Sequence, residues 1–101
     1  MKIIVLSKKN NLSEFNGDIS GWNVSNVKNM GNMFRYAYSF KGDISKWNVS
    51  NVKNMNSMFR YAESFNVDIS GWKVSNVKDM SFMFLGCPLK DYPEKQPKFN
   101  I

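Results

Sequence analysis

The sequence predicts a short right-handed α/β solenoid of three strand–helix repeats with a parallel sheet on one side. Three observations carry that expectation. First, a unit of 25 residues recurs three times without a gap: FNGDISGWNVSNVKNMGNMFRYAYS at 15–39, FKGDISKWNVSNVKNMNSMFRYAES at 40–64 and FNVDISGWKVSNVKDMSFMFLGCPL at 65–89. A fixed period of this length is the signature of an array in which each unit buries its apolar face against its neighbours. Second, the apolar spacing changes from two to three or four inside every unit. Third, each unit holds one strand-like and one helix-like half in the same order, so all strands run the same way and right-handed crossovers follow.

The chain divides into a capping strand and linker at 1–14, the repeats at 15–89 and an extended tail at 90–101. Ile3, Ile4, Val5 and Leu6 form a β-branched run before a polar stretch. It reads as a strand that covers the first open edge of the array. Within a repeat, Trp22 and Val24 are two apart and share a strand face, with Gly21, Asn23 and Ser25 facing outward. Val27, Met30, Met33, Phe34, Ala37 and Phe40 then recur at three and four, the stripe of an amphipathic helix. Ser25 or Asn26, Ser50 or Asn51, and Ser75 or Asn76 stand where its N-cap belongs. Gly31, Asn56 and Ser81 are mediocre helix formers at one position, so the helices are short and held by packing. The third copy breaks the pattern with Leu85-Gly86-Cys87-Pro88. Gly86 suits a left-handed helix end, and Pro88 cannot continue a helix. Phe82, in place of Asn32 and Ser57, suggests a contact for the tail. The tail holds Pro93 and Pro97 and reads either as extended over the last repeat through Tyr92, Phe99 or Ile101, or as disordered.

The recurring pattern W-x-V-S-N-V-x-x-M-x-x-M-F is carried by Trp22 to Phe34, Trp47 to Phe59 and Trp72 to Phe84. It resembles the BspA-like leucine-rich-repeat surface proteins, a bacterial group with a repeat of this length. The resemblance covers the three repeats. It implies a leucine-rich-repeat-like solenoid with a non-enzymatic binding or adhesion role at the cell surface or in secreted form, and it brings no shared catalytic residues.

Composition narrows the chemistry. The chain has 101 residues, a net charge of +6, one cysteine and no histidine. Intrachain disulfides, zinc fingers and Ser-His-Asp or Cys-His catalysis are excluded within one chain. The positive charge is spread over all three segments and lacks the clustered stripe of a nucleic-acid footprint. Met1–Leu6 is too short for a signal peptide, no stretch has transmembrane length, and the compartment stays open.

Several columns are candidate sites. Trp22, Trp47 and Trp72 suit an aromatic platform for sugars, but their alternation with valine favours a core ladder. Six methionines, at 30/33, 55/58 and 80/83, suit soft metals or, at this spacing beside Val and Phe, the core. Asp18, Asp43 and Asp68 form a carboxylate column, read either as a calcium ladder or as Asx turns accepting backbone N–H groups. Lys28, Lys53 and Lys78, with Arg35 and Arg60, form basic columns, either an anion-binding face or an ordinary solvated one. The preferred binding face is the outward set Gly21, Lys46 and Gly71; Asn23, Asn48 and Lys73; Ser25, Ser50 and Ser75. The expected function is therefore non-enzymatic binding of a protein or glycan through this face, with no cofactor and no metal. The alternatives are a scaffold that assembles edge to edge without its own ligand, and binding of nucleic acid or an anionic surface through the lysine column.

Overall fold

A computed structural model of the chain describes residues 12–100. Its backbone is a succession of tight turns. In the first repeat, i→i+3 hydrogen bonds close Ile19–Trp22, Val24–Val27, Met30–Met33, Asn32–Arg35, Phe34–Ala37 and Ala37–Phe40, and the second repeat closes the same six. In five of the six the residues at the turn ends are apolar, and the polar middle faces outward; the Asn32–Arg35 turn is the reverse, with Met33 and Phe34 buried at its middle. The turn-forming residues supply the rest. Asp18, Asn23 and Asn29 each accept the backbone N–H two residues on, as do Asp43, Asn48 and Asn54 in the second repeat. These are Asx turns, in which a short side chain stands in for a backbone carbonyl.

The two halves of a repeat meet their neighbours differently. Residues 28–37, 53–62 and 78–87 form a ladder half. Met30, Asn32, Phe34 and Tyr36 donate their N–H groups to the carbonyls of Asn54, Asn56, Met58 and Arg60 at 2.8, 2.9, 2.8 and 2.9 Å. Met55, Ser57, Phe59 and Tyr61 do the same to Asp79, Ser81, Met83 and Leu85 at 2.8, 2.9, 3.0 and 2.7 Å. Residues 16–27, 41–52 and 66–77 form a turn half, joined across coils by side chains. Trp47 and Trp72 donate their indole N–H to the carbonyls of Ile19 and Ile44, both at 3.1 Å. The Asn51 and Asn76 amides reach the carbonyls of Ser25 and Ser50 at 2.7 and 2.8 Å. The Lys41 N–H donates to the Asn16 side chain.

This overturns the expected strand–helix solenoid with its parallel sheet. Among the described residues the longest helix is the four-residue 3-10 turn Pro88–Asp91, and no strand forms. Parallel pairing is confined to the isolated bridges Asn29↔Asn54 and Asn54↔Asp79. The reason lies in where the N–H groups go. An α-helix needs each N–H to find the carbonyl four residues back. Here alternate N–H groups of the ladder half leave for the next coil, and those between them close i→i+3 turns. Asn32, Tyr36, Ser57, Tyr61 and Phe82 sit at φ of +62°, +64°, +57°, +60° and +57°, and Gly86 at +73°. That left-handed conformation interrupts any right-handed helix, at roughly 1–2 kcal/mol for each non-glycine residue. The inter-coil hydrogen bonds and ring stacking of the same residues offset it.

The core lies inside the coils. Phe34, Phe59 and Phe84 stack at 5.5 and 6.0 Å with interplanar angles of 4° and 5°. A second column, Phe15, Phe40 and Phe65, runs beside it at 5.8 Å spacings. The two columns touch through Phe34–Phe40 and Phe59–Phe65, at 4.5 and 4.3 Å. Met30, Met33, Met55, Met58 and Met83 fill the space between these rings and Ile19, Ile44 and Ile69, all buried. Each such pair of rings adds about 0.5–1.5 kcal/mol to what burial supplies.

After Cys87 the chain turns through two 3-10 helices, Pro88–Asp91 and Pro93–Lys95, before an extended Gln96. This tail docks on the turn half of the third repeat. The Ile69 N–H donates to the Lys95 carbonyl at 2.9 Å, and Lys95 Nζ reaches the Asn66 carbonyl and side chain at 3.3 Å. Pro97 is buried and Phe99 packs on the core, while Tyr92 is exposed. The expected cap at Ile3–Leu6 and the contact through Ile101 lie outside the described residues.

Candidate functional site

The outward columns expected to bind do align, but most of their polar groups are occupied. Asn23 Oδ1 accepts both the N–H and the hydroxyl of Ser25, at 3.0 and 2.7 Å, and Asn48 Oδ1 accepts the Ser50 N–H at 3.1 Å. The Ser25 and Ser50 carbonyls take the amides of Asn51 and Asn76. Ser25, Ser50 and Ser75 therefore lie in a turn and cap no helix. Lys73 interrupts the Asn row with a side chain that cannot accept. Gly21, Lys46 and Gly71 are exposed, and open space surrounds both glycines. This face is not the surface of a sheet, because no sheet forms among the described residues.

The carboxylates are held in turns. Asp18 Oδ1 accepts the Ser20 hydroxyl at 2.7 Å and its N–H at 3.0 Å. Asp43 does the same with Ser45, and Asp68 takes the Ser70 N–H. The serine hydroxyl first, and the backbone N–H second, hold each of these three carboxyls below the ordinary value of 3.8. Asp79 is lowered chiefly by the Ser81 N–H, then by the Ser81 hydroxyl and the Asn56 amide. Hydrogen bonds to the ionised form have this sign because they are lost on protonation. Among the described residues, no three acidic or cysteine side chains group as metal ligands would. Cys87 is buried, and that burial pushes its thiol up to about 11.

The least satisfied surface runs along the ladder half. Tyr36 stacks on Tyr61 at 5.5 Å and 9°, and Tyr38 meets Tyr36 edge-on at 6.3 Å. The Tyr61 ring in turn covers Gly86, where a Cβ would overlap it. Arg35 lies 5.0 Å over Tyr36, and Arg60 lies 5.5 Å from Tyr61 and 5.3 Å from Phe82. Arg35 also reaches Asn32 Oδ1 and the Tyr36 hydroxyl, each at 3.3 Å. Buried Nε atoms on both arginines lack a partner. Neither guanidinium is paired with a carboxylate among the described residues. Tyr36, Tyr38 and Phe82 remain 42%, 40% and 61% exposed, high values for such large rings. Guanidinium and aromatic groups thus alternate along one flank, each cation–π contact worth about 0.5–1 kcal/mol at an exposed site.

The repeat spacing, its coil-to-coil register and this flank can now be set beside known sequences. The model of the family described as Mycoplasma protein of unknown function, DUF285, matches residues 5–96. The chain belongs to the DUF285 family. No curated protein and no solved structure matches it.

In this DUF285 chain the Arg35/Arg60 column was visible in the sequence as a basic column, but its aromatic partners were not. Tyr36 and Tyr61 fall off the stripe formed by Phe34, Ala37 and Phe40, and their positive φ leaves no mark on a tyrosine. The repeated Arg-Tyr dipeptide at 35/36 and 60/61, and Phe82 in a column otherwise held by Asn32 and Ser57, were the available signals.

Proposed function

We propose that this DUF285 chain is a non-enzymatic binding module of the bacterial surface-protein type, and that it meets a protein partner through the flank of Arg35, Tyr36, Tyr38, Arg60 and Tyr61. The observation that carries this is the run of rings, Tyr36 and Tyr38 exposed and Tyr61 half-buried, interleaved with guanidinium groups that have no carboxylate partner among the described residues. Tyr and Arg are the residue types that concentrate binding energy in protein interfaces. The resemblance of the repeat to BspA-like surface proteins supports the surface role. The titratable groups support the absence of catalysis. Asp18, Asp43, Asp68 and Asp79 are held below their usual range and the Cys87 thiol far above neutrality. General acid–base and thiolate chemistry want groups poised nearer to pH 7. No helix among the described residues is long and apolar enough to cross a membrane.

The test is binding of the full chain to a panel of purified extracellular proteins and, in parallel, to a glycan array. A protein ligand whose affinity falls about tenfold or more in Arg35→Ala and in Tyr38→Ala, a loss of about 1.4 kcal/mol, supports the proposal. Binding to glycans alone, or protein binding indifferent to both variants, overturns it.

A further inference from the structure

The hydrogen-bond ladder has a direction. From Met30 onward its inter-coil N–H groups point toward the following coil and its carbonyls toward the preceding one. In the third coil, the groups equivalent to the Met55, Ser57, Phe59 and Tyr61 donors are the N–H groups of Met80, Phe82, Phe84 and Gly86. None of them donates to an acceptor among the described residues. The tail borders them through Lys90 and Gln96 without accepting from them, and its hydrogen bonds to the third repeat fall on the other half, where the Lys95 ammonium donates to Asn66 and the Ile69 N–H donates to the Lys95 carbonyl. In the first pair of coils the Asn16 side chain accepts from Lys41, so the Asn66 contact marks the tail as occupying the place of a fourth turn half. No described residue stands where a fourth ladder half would pair with these N–H groups. That place forms a groove of about 390 Å³ lined by Met80, Phe82, Met83, Phe84, Leu85, Lys90 and Gln96.

We infer that this groove is a docking site for one extended polypeptide segment of a partner protein, which would run parallel to residues 80–86. Backbone carbonyls at alternate residues suit the four free N–H groups, which also fall at alternate residues. Unpaired backbone donors along an edge template such strand addition. Apolar side chains on the segment cover Phe82, the most exposed large hydrophobic side chain among the described residues, and Met80. Lys90, the one charged group in the groove, selects a segment with an acidic residue. A second copy of this chain fits less well, because its own turn half would collide with the docked tail. The inference rests on the reading of the chain as a protein-binding module and names the class of partner.

The probe is a phage-displayed library of short random peptides, selected on the full chain, with the selected peptides then synthesised. We expect acidic residues beside apolar ones in the selected sequences. Amide exchange at Met80, Phe82, Phe84 and Gly86, fast in the free protein, should slow about tenfold or more on peptide binding. Lys90→Glu and Phe82→Ser should each weaken binding about tenfold. Lys90 is exposed, and serine already occupies the Phe82 position in the second repeat with the same sign of φ, so both variants keep the fold. Failure to select any peptide overturns the inference. So do peptides that bind Lys90→Glu normally and leave exchange at 80–86 unaltered. If those same peptides lose binding in Arg35→Ala, the flank proposed above stands and the groove does not.

Discussion

The two halves of each repeat solve the same problem with different groups. The turn half is joined to its neighbours by side chains: the indoles of Trp47 and Trp72, the amides of Asn51 and Asn76, and the carboxamide of Asn16. The ladder half is joined by the backbone itself. A side-chain joint needs a particular residue, whereas a backbone joint tolerates almost any. The sequence follows this division. Trp, Ser and Asn recur unchanged at 22/47/72, 25/50/75 and 26/51/76. Gly31/Asn56/Ser81, Asn32/Ser57/Phe82 and Arg35/Arg60/Leu85 all vary. The freedom to vary is what lets the ladder flank carry Tyr, Arg and Phe at the surface without loss of register.

Changing a joint in each half tests this contrast most directly. Trp47→Phe keeps the ring but removes one of the two N–H groups that the Ile19 carbonyl accepts, leaving the one from Trp22. A lost joint of this kind costs about 0.5–1.5 kcal/mol, read as a lower urea midpoint at unchanged slope. A variant as stable as the parent would show that the turn half does not depend on its side-chain joints. Acid should sharpen the comparison next. The carboxyls of Asp18, Asp43 and Asp68 are lowered in the folded chain, so the stability they contribute is fully present above about pH 4. It is lost as pH falls through their folded values, below 3.8. Amide exchange at Ser20, Ser45 and Ser70 should therefore accelerate in acid before exchange at Met55, Phe59 and Tyr61. Simultaneous opening of both halves would dissolve the distinction between them. The smallest effect belongs to the ladder surface. Ser81→Asn copies the residue of the second repeat at an exposed, backbone-joined position and should shift stability by no more than about 0.5 kcal/mol. A larger shift in the same urea titration would mean that side chains matter there after all.

The repeat and its buried residues were legible in the sequence because they depend only on period and polarity. Ile19, Val24, Met30, Met33, Phe34, Ala37 and Phe40 were all marked by spacing, and all are buried. The elements were misjudged because turns closed at i→i+3 space their apolar ends much as a helix does. Met30, Met33, Phe34, Ala37 and Phe40 satisfy both patterns. Likewise, Trp22 and Val24 are two apart because each begins or ends a turn, not because they lie on a strand. The density of Asn, Asp, Ser and Gly argues for turns, and at 31/56/81 the same residue types read equally as poor helix formers. The left-handed positions at Asn32, Tyr36, Ser57, Tyr61 and Phe82 could not be read from side-chain identity, since only Gly86 announces that conformation. The columns at 21/46/71, 23/48/73 and 25/50/75 follow from the 25-residue period alone. Occupation of the Asn and Ser groups by local hydrogen bonds was not foreseeable without coordinates.

Past Lys28, Lys53 and Lys78, whose own bonds run the other way, the one-way run of ladder hydrogen bonds also limits what symmetry this end of the molecule can adopt. A two-fold dimer joins a surface to a copy of itself. At residues 80–86 that would set donor against donor, with no carbonyl between them. This edge is thus built for unlike partners, and any twofold assembly of the chain has to form elsewhere on its surface.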